Sequence, residues 1–252
     1  MINLFIKEMI LNVAVFSYRR HLTHGSLDIN KLSYKKFPLA RELDKNDYVC
    51  ILGDFGCVWN LDNEDNYWLD WLESRPFTTL FLPGNHECYP LLRSFPEEQW
   101  QGGTIRHIRP SVIMLERGEI FNIANTTFFC MGGARSVDRA YRKEGTSWWP
   151  DEMPAQYEYE KAANNLEKVN FKVNYILTHC APNYLVDKLF PYENQHDELT
   201  NFLEKYVRAN TTFRAWFMGH YHIDRSYDNQ KYNILYNDIL ELLPNGEFKV
   251  VN

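Results

Sequence analysis

Hydrophobic residues recur along this chain in short runs that stop abruptly at glycine, proline or polar residues. One run covers 78–82 and ends at Pro83 and Gly84, and another covers 48–52 and ends at Gly53. The second run is continuous rather than alternating, which is typical of a strand covered on both faces. Short apolar runs that break in this way predict buried strands.

Further runs and periodic patterns extend this prediction over most of the chain. Additional strands are predicted at 10–16, 104–108, 112–115, 120–123, 127–131, 173–177, 213–218, 232–236 and 248–251. Apolar positions at helical spacing predict helices over about 27–37, 63–74, 155–168 and 197–208. Turn residues at 117–118 and 124–125 separate three of the short strands, which predicts an antiparallel meander over 112–131.

Strands alternate with helices, so the predicted class is α/β. No repeat, low-complexity tract or flexible linker divides the chain, and we expect a single domain over residues 1–252. The composition, with 45% hydrophobic and 24% charged residues, is that of a soluble globular protein. The apolar stretch 2–16 is interrupted by charged residues, which argues against a membrane span.

Charge and cysteine content narrow the classes of function. The net charge of -6 argues against a general nucleic-acid-binding surface. The five cysteines are odd in number and form no CxxC pair, which suits a reducing compartment, so we expect a cytoplasmic protein.

Metal-binding side chains follow four of the predicted strands. Asp54 follows the strand 48–52, and Asn85 and His86 follow the strand 78–82. The ends of two later strands carry three further histidines, which are His179, His220 and His222. Because ligands bind at the carboxyl ends of strands in α/β proteins, these groups are expected to meet. Imidazole mixed with carboxylate and amide oxygen suits manganese, iron or zinc.

The blocks around these residues resemble those of the calcineurin-like metallophosphoesterases. That family carries GD-x-G, GNH-[DE], H-x-x-P and GH-x-H blocks, and this chain has matching residues in the same order at 53–56, 84–87, 179–182 and 219–222. The resemblance extends over about residues 24–222. It implies two mixed β-sheets packed as a sandwich between helices, in four α/β/β/α layers, with a site for two divalent transition metal ions at the strand ends.

The resemblance also implies a role for each matched residue. Asp54 bridges the two metals, and a second set completes the shell of one metal, namely Asn85, His179 and His220. His24 and His222 serve the other metal. His86 stabilises or protonates the leaving oxygen, a task that suits an imidazole titrating near neutral pH.

One block departs from the family pattern. The family's first block is D-x-H, and Leu22 stands here in place of the aspartate, two residues before His24. Three explanations remain open: one weakened metal position, replacement of the ligand by His21 or Asp28, or an altered N-terminus such as a shifted reading frame would produce. The first or the third is favoured, because Asp28 falls in the following predicted helix and His21 would need a looped-out backbone.

Two further groups are candidates for the site. Residues 133–150 are rich in arginine and tryptophan, and Arg135, Arg139 and Arg142 are candidates to bind substrate phosphate through their planar guanidinium groups. A solvated loop whose tryptophans pad the core is an equally good interpretation. Glu87 either orients His86 or starts a helix, and the helix interpretation is favoured.

The sequence therefore predicts metal-dependent hydrolysis of a phosphomonoester or phosphodiester, with one metal held more weakly than the other. The expected substrate is a phosphorylated small molecule, a nucleotide or a phosphoprotein, and neither a membrane nor nucleic acid is an expected partner. The alternative is a catalytically impaired relative that binds a phosphorylated ligand or a protein partner, and Leu22 keeps that alternative open.

Overall fold

Two mixed β-sheets lie face to face in a computed structural model that describes residues 11–14, 29–193, 195–243 and 245–251. In chain order the strands are β1 (Leu11–Ala14), β2 (Tyr48–Ile51), β3 (Thr78–Phe81), β4 (Glu97–Trp100), β5 (Gly103–Arg109), β6 (Val112–Leu115), β7 (Glu119–Ile123), β8 (Thr126–Met131), β9 (Tyr175–Thr178), β10 (Ala215–Met218), β11 (Arg225–Tyr227), β12 (Tyr232–Ile234), β13 (Ile239–Leu242) and β14 (Phe248–Val250). The helices are α1 (Asn63–Glu73), α2 (Tyr89–Leu92), α3 (Gln156–Lys168), α4 (Asn183–Leu189) and α5 (Glu198–Phe202), which continues into a π-helical stretch, Leu203–Arg208.

The strand order places parallel strands at the centre of each sheet. One sheet runs β14-β13-β1-β2-β3-β6-β5-β4, and β1, β2, β3 and β6 are parallel neighbours within it. The other runs β11-β12-β10-β9-β8-β7, with β12, β10, β9 and β8 parallel. Antiparallel strands form the borders of both sheets.

Alternate residues of the central strands face two different cores. Cys50 and Leu80 point between the sheets and pack there with Phe128 and Phe217 of the opposite sheet. Their neighbours, such as Ile51, point outward against α1. The helices α3, α4 and α5 cover the outer face of the other sheet. This arrangement confirms the predicted four layers, and it explains why the central strands are apolar without alternation.

Two predictions about local structure are wrong. The strands at 112–123 do not form one meander, because β6 pairs with β3 and β5 while β7 pairs with β8 in the other sheet. The described part of 27–37 forms no α-helix but a 3₁₀ turn over Ile29–Leu32, and a second 3₁₀ turn begins at Pro38. Proline excludes the helical conformation from the residue before it, and Phe37 has φ −134 and ψ 74.

The other predicted elements are present with small changes at their ends, and several elements escaped prediction. Those missed are β4, β11, β13, α2 and α4. The strand β4 has the polar sequence EEQW and lies at the edge of its sheet, so backbone pairing with β5 rather than burial of its side chains holds it. None of the helices in the described part of the chain is long and apolar enough to cross a bilayer.

Candidate metal centre at the strand ends

Residues from both sheets meet where the central parallel strands end. Asp54 Oδ1, after β2, is 3.2 Å from His179 Nε2, after β9. Asn85 Oδ1, after β3, is 3.0 Å from the same nitrogen. All three side chains are buried, with exposed fractions of 3% or less. The structure thus brings together three predicted site residues that lie far apart in the sequence.

The tautomer of His179 follows from its other contact. Its Nδ1 lies 2.7 Å from the carbonyl oxygen of Leu52, which can only accept, so Nδ1 carries the proton. In the neutral imidazole, Nε2 then presents a lone pair towards Asp54 Oδ1 and Asn85 Oδ1. Three acceptors that converge in a buried place are stabilised by a shared proton or by a cation. This donor set fits a divalent metal ion, and the imidazole is oriented by a backbone carbonyl as metal-bound histidines are.

The charges of Asp54 and His179 stabilise each other. Burial alone would raise the pKa of Asp54, but His179 and His86 outweigh it and hold that pKa below its ordinary value. Burial alone would lower the pKa of His179, yet the Asp54 charge raises it above the ordinary value. The aspartate is therefore ionised at neutral pH, as a metal ligand must be.

His220, a further predicted ligand, lies next to His179. Its ring centroid is 5.0 Å from that of His179. Burial and then the neighbouring His179 lower the pKa of His220 to about 3. At neutral pH the imidazole is therefore uncharged and can act as a metal ligand.

His86 is tied to Asp54 through its backbone. Its N–H donates to Asp54 Oδ1 over 2.9 Å, and its side chain is half-buried. Burial lowers the pKa of His86, Asp54 opposes that shift, and Arg142 adds to it. The imidazole is thus electrostatically coupled to Asp54, and its role as a proton donor remains a prediction.

The two histidines predicted to bind the second metal are His222 and His24. His222 is exposed, and its ring stacks on Tyr236 with 4.9 Å between centroids. His24 lies outside the described residues, together with Leu22, His21 and Asp28. Within the described ranges, no three His, Cys, Asp or Glu side chains form a ready-made cation site.

Glycines let the loops approach each other closely. A Cβ atom at Gly84 would lie 2.2 Å from both the backbone nitrogen and Oδ1 of Asp54. A Cβ atom at Gly53, which has φ +98, would lie 2.1 Å from His179 Nδ1. The glycines of the two motifs are therefore required for Asp54 and His179 to reach their positions.

Glu87 has a role that differs from both predicted ones. It does not start a helix, because α2 begins at Tyr89, and its carboxylate points back into the protein. Oε1 accepts from the backbone N–H of Phe55 over 2.7 Å and of Gly84 over 3.2 Å, and Oε2 accepts from Gly56 over 3.2 Å. Burial and the Asp54 charge raise the pKa of Glu87 to about 7. Glu87 thus joins the Asp54 loop to the Asn85 loop.

The three candidate arginines have different surroundings. Arg139 Nη2 lies 2.6 Å from Glu152 Oε1, and Arg142 Nη1 donates to Ser136 Oγ over 3.1 Å. Arg135 is exposed at the rim of a cavity. The substrate-binding role of each remains a prediction.

That cavity opens beside the histidines and has a volume of about 720 Å³. Its described lining combines apolar and charged groups, which include Arg135, Val137, Phe190, Asp197, His220 and His222. Most of the lining residues come from the segments 134–139, 180–193 and 195–200. A volume of this order is typical of sites for small organic ligands, which occupy about 300–1,000 Å³.

Two further histidines lie beside carboxylates that are not among the predicted site residues. His196 Nε2 is 2.6 Å from Asp187 Oδ1, and His107 Nε2 is 3.9 Å from Glu98 Oε2.

The family profile described as calcineurin-like phosphoesterase matches residues 23–224. The chain therefore belongs to that family, a class of metal-dependent hydrolases of phosphate esters. No sequence among the curated proteins matches this chain significantly.

Two solved structures resemble this chain over most of its length. Phosphopantetheinyl hydrolase from Mycobacterium tuberculosis is 16% identical, with 91% of this chain and 88% of that one covered and a TM-score of 0.43. A protein from Staphylococcus aureus assigned as a 5′-nucleotidase is 11% identical, with 96% of this chain and 52% of that one covered and a TM-score of 0.45. At these identities and TM-scores, neither likeness indicates which substrate this chain takes.

Proposed function

We propose that this chain hydrolyses a phosphomonoester or phosphodiester of a small organic alcohol, using two divalent ions of manganese, iron or zinc. The observation that carries the proposal is the convergence of Asp54 Oδ1 and Asn85 Oδ1 on Nε2 of His179. Asp54, Asn85, His179 and His220 would hold one ion, and Asp54, His222 and His24 the other. Bound there, the ions would neutralise phosphoryl charge and make a coordinated water easier to ionise.

His86 is proposed to deliver a proton to the leaving oxygen. In the protein alone, burial lowers the pKa of His86, so its imidazole is mostly uncharged at neutral pH. A phosphate dianion close to the ring would raise that pKa, because negative charge favours the protonated imidazole. The phosphate charge would thus favour the protonated His86 that the reaction needs, against the opposing charge of the bound metal ions.

The cavity beside His220 and His222 supports a small-molecule ester rather than a phosphoprotein. With the phosphate at the strand ends, the alcohol portion of the substrate would occupy the cavity, against Val137 and Phe190. Arg135 at the cavity rim is the candidate to contact a phosphate oxygen that the metals leave uncovered.

Turnover of chromogenic mono- and diesters by protein loaded with Mn²⁺ tests this function. We expect hydrolysis by the unaltered chain and a loss of about 100-fold or more in Asp54→Asn and His86→Ala, because removal of a general acid alone costs 10²–10⁴-fold. His107→Ala, which changes a histidine beside Glu98 in the pair of border strands β4 and β5, away from the cavity, should retain full activity.

The alternative function makes a different prediction. A catalytically impaired relative would bind phosphate esters in the presence of Mn²⁺ yet turn over none of them, before or after Leu22→Asp. Binding without turnover in both forms would replace the hydrolase proposal with that of a phospholigand-binding protein.

A further inference from the structure

A buried serine and glutamate lie directly behind the Asn85 amide. Asn85 Nδ2 donates to Ser136 Oγ over 2.9 Å, and Ser136 Oγ donates to Glu152 Oε2 over 2.7 Å. The backbone N–H of Ser136 donates to the other carboxylate oxygen, Oε1, over 2.7 Å. Ser136 is 3% exposed and Glu152 is 0% exposed, so water does not compete for these bonds.

The series of hydrogen bonds from Asn85 through Ser136 to Glu152 can run in one direction only. Arg139 donates to Glu152 Oε1 through Nε over 2.8 Å, and the paired carboxylate is an acceptor. The Ser136 hydroxyl must therefore point its proton at Glu152. Its oxygen is then left to accept from Asn85 Nδ2 and from Arg142 Nη1.

The fixed direction of these bonds determines how the Asn85 amide is turned. An asparagine amide can present either oxygen or nitrogen to a given side, and the two ends differ little in shape. Because Ser136 accepts, the NH₂ group must face Ser136 and Oδ1 must face His179, at 3.0 Å. In the flipped orientation, the amide oxygen would face the Ser136 oxygen, which is itself an acceptor. The NH₂ group would then face the proposed metal position, where it could not act as a ligand.

We propose that Ser136 and Glu152 are positioning residues that set the Asn85 amide so that its oxygen, not its nitrogen, is offered to the metal. This inference rests on the proposed role of Asn85 as a metal ligand. It also assigns a purpose to the loop 134–142, whose Arg139 and Arg142 hold the serine and the glutamate in place.

The test is the affinity for Mn²⁺, measured by isothermal titration calorimetry without substrate, together with the midpoint of thermal unfolding. Ser136→Ala should weaken binding at the Asn85 site about tenfold or more, because changes behind metal ligands typically cost 10–100-fold. Ser136→Thr, which keeps the hydroxyl, should remain close to the unaltered protein.

Ser111→Ala is the matched control. Ser111 is also a buried serine whose hydroxyl donates to a glutamate, Glu73, over 2.7 Å and accepts from a cation, Lys45, over 2.5 Å. The Ser111→Ala substitution should lower the midpoint of thermal unfolding about as much as Ser136→Ala does. It should leave the affinity for Mn²⁺ unchanged. An equal loss of affinity in both variants would overturn the inference, since a general loss of stability would then explain it.

Glu152→Gln provides a second route if Ser136→Ala fails to fold. The added NH₂ group lets Ser136 accept from residue 152 and donate to Asn85, so the amide loses its single orientation and Mn²⁺ affinity should fall about tenfold. Unchanged affinity in Glu152→Gln and in Ser136→Ala would contradict the inference.

Asn85→Ala separates failure of this inference from failure of the metal site itself. It should weaken Mn²⁺ binding, and adding Ser136→Ala to it should change the affinity no further. If Asn85→Ala weakens binding but Ser136→Ala does not, the positioning role is wrong while the metal site stands. If Asn85→Ala leaves binding unchanged, Asn85 is not a ligand and both ideas fail.

Discussion

Three residues of the proposed metal site adopt a left-handed backbone conformation. Asp54 has φ 53, His220 has φ 70 and His222 has φ 54. Residues with a Cβ atom avoid this region at a cost of about 1–2 kcal/mol each. Strain of this kind gathers at functional sites, where the position of a side chain matters more than local stability. The chain thus turns sharply after β2 and again after β10, at the positions of these three proposed ligands.

Gly84 allows the Asp54 and Asn85 loops to touch, so Gly84→Ala should disrupt the metal site. The added Cβ would lie 2.2 Å from backbone and side-chain atoms of Asp54, and the loops would have to separate. We expect a loss of about 1–3 kcal/mol in the free energy of unfolding, together with weaker Mn²⁺ binding in a calorimetric titration.

Gly145→Ala controls for this prediction. Gly145 has φ +72 and open space within 4 Å of an added Cβ, so the alanine there meets backbone strain alone. Its Mn²⁺ affinity should match that of the unaltered chain. Normal affinity in Gly84→Ala would show that the two loops need not be in contact.

The second residue-scale prediction concerns Glu87, which satisfies three backbone N–H groups of the two motif loops. In Glu87→Gln an NH₂ group replaces one of the two carboxylate oxygens. That NH₂ group is a donor, and it would face a backbone N–H group that is also a donor. Leaving a buried donor unsatisfied costs about 1–3 kcal/mol, so chemical denaturation should show a loss of that size. Glu98→Gln changes an exposed glutamate and should cost less than about 0.5 kcal/mol. Equal free energies of unfolding in Glu87→Gln and Glu98→Gln would contradict the conclusion that Glu87 holds the two loops together.

At the scale of elements, hydrophobic patterning predicted the central strands and the long helices but not how the chain moves between sheets. The turns after β6 and after β7 look alike in sequence, yet the first carries the chain into the second sheet. Arg117 lies in that crossing and is 1% exposed, where a polar turn residue would be expected at the surface. Its contacts are with distant segments, so no local pattern could reveal them.

Arg117 links the crossing to helix α3 and to the loop before it. Its Nη1 lies 3.4 Å from Glu158 Oε2, and its Nη2 donates to the carbonyl of Asp151 over 2.9 Å. Arg117→Met should therefore reduce the free energy of unfolding by about 3–5 kcal/mol, because it removes the closer of the two arginines beside the buried Glu158 and the donor to the Asp151 carbonyl.

Arg109→Met is the comparison, since Arg109 pairs with the exposed Asp70 over 3.0 Å at the surface. Pairs of that kind contribute about 0–1 kcal/mol. Denaturant titration of both variants compares the two costs, and a cost below about 1 kcal/mol for Arg117→Met would contradict the buried link.

At the scale of the molecule, the proposed site exists because two sheets place their parallel strand ends at one edge. The strand-end residues Asp54, Asn85, His179 and His220 could be selected from the sequence, since each follows an apolar run. The residues that hold these side chains in place could not be selected from the sequence. Ser136 is 51 positions from Asn85 along the chain and 16 from Glu152, and only the packed fold brings such residues into contact.

Unequal binding of two metal ions is the prediction that belongs to this scale. The aspartate of the first family block is replaced by Leu22, and leucine offers no ligand atom. Calorimetric titration with Mn²⁺ should therefore resolve one tight and one weak site, and Leu22→Asp should strengthen the weak one. Two equally tight sites in the unaltered chain would show that another residue supplies the missing ligand.

The most direct test of the account is anomalous diffraction from crystals of the protein loaded with Mn²⁺. The account predicts an anomalous peak within about 2.0–2.3 Å of Asp54, Asn85 Oδ1, His179 Nε2 and His220, in line with usual metal–ligand distances. It also predicts that the NH₂ group of Asn85 faces Ser136. A peak bound to other residues, with Asp54 and His179 still in contact with each other alone, would contradict the central claim.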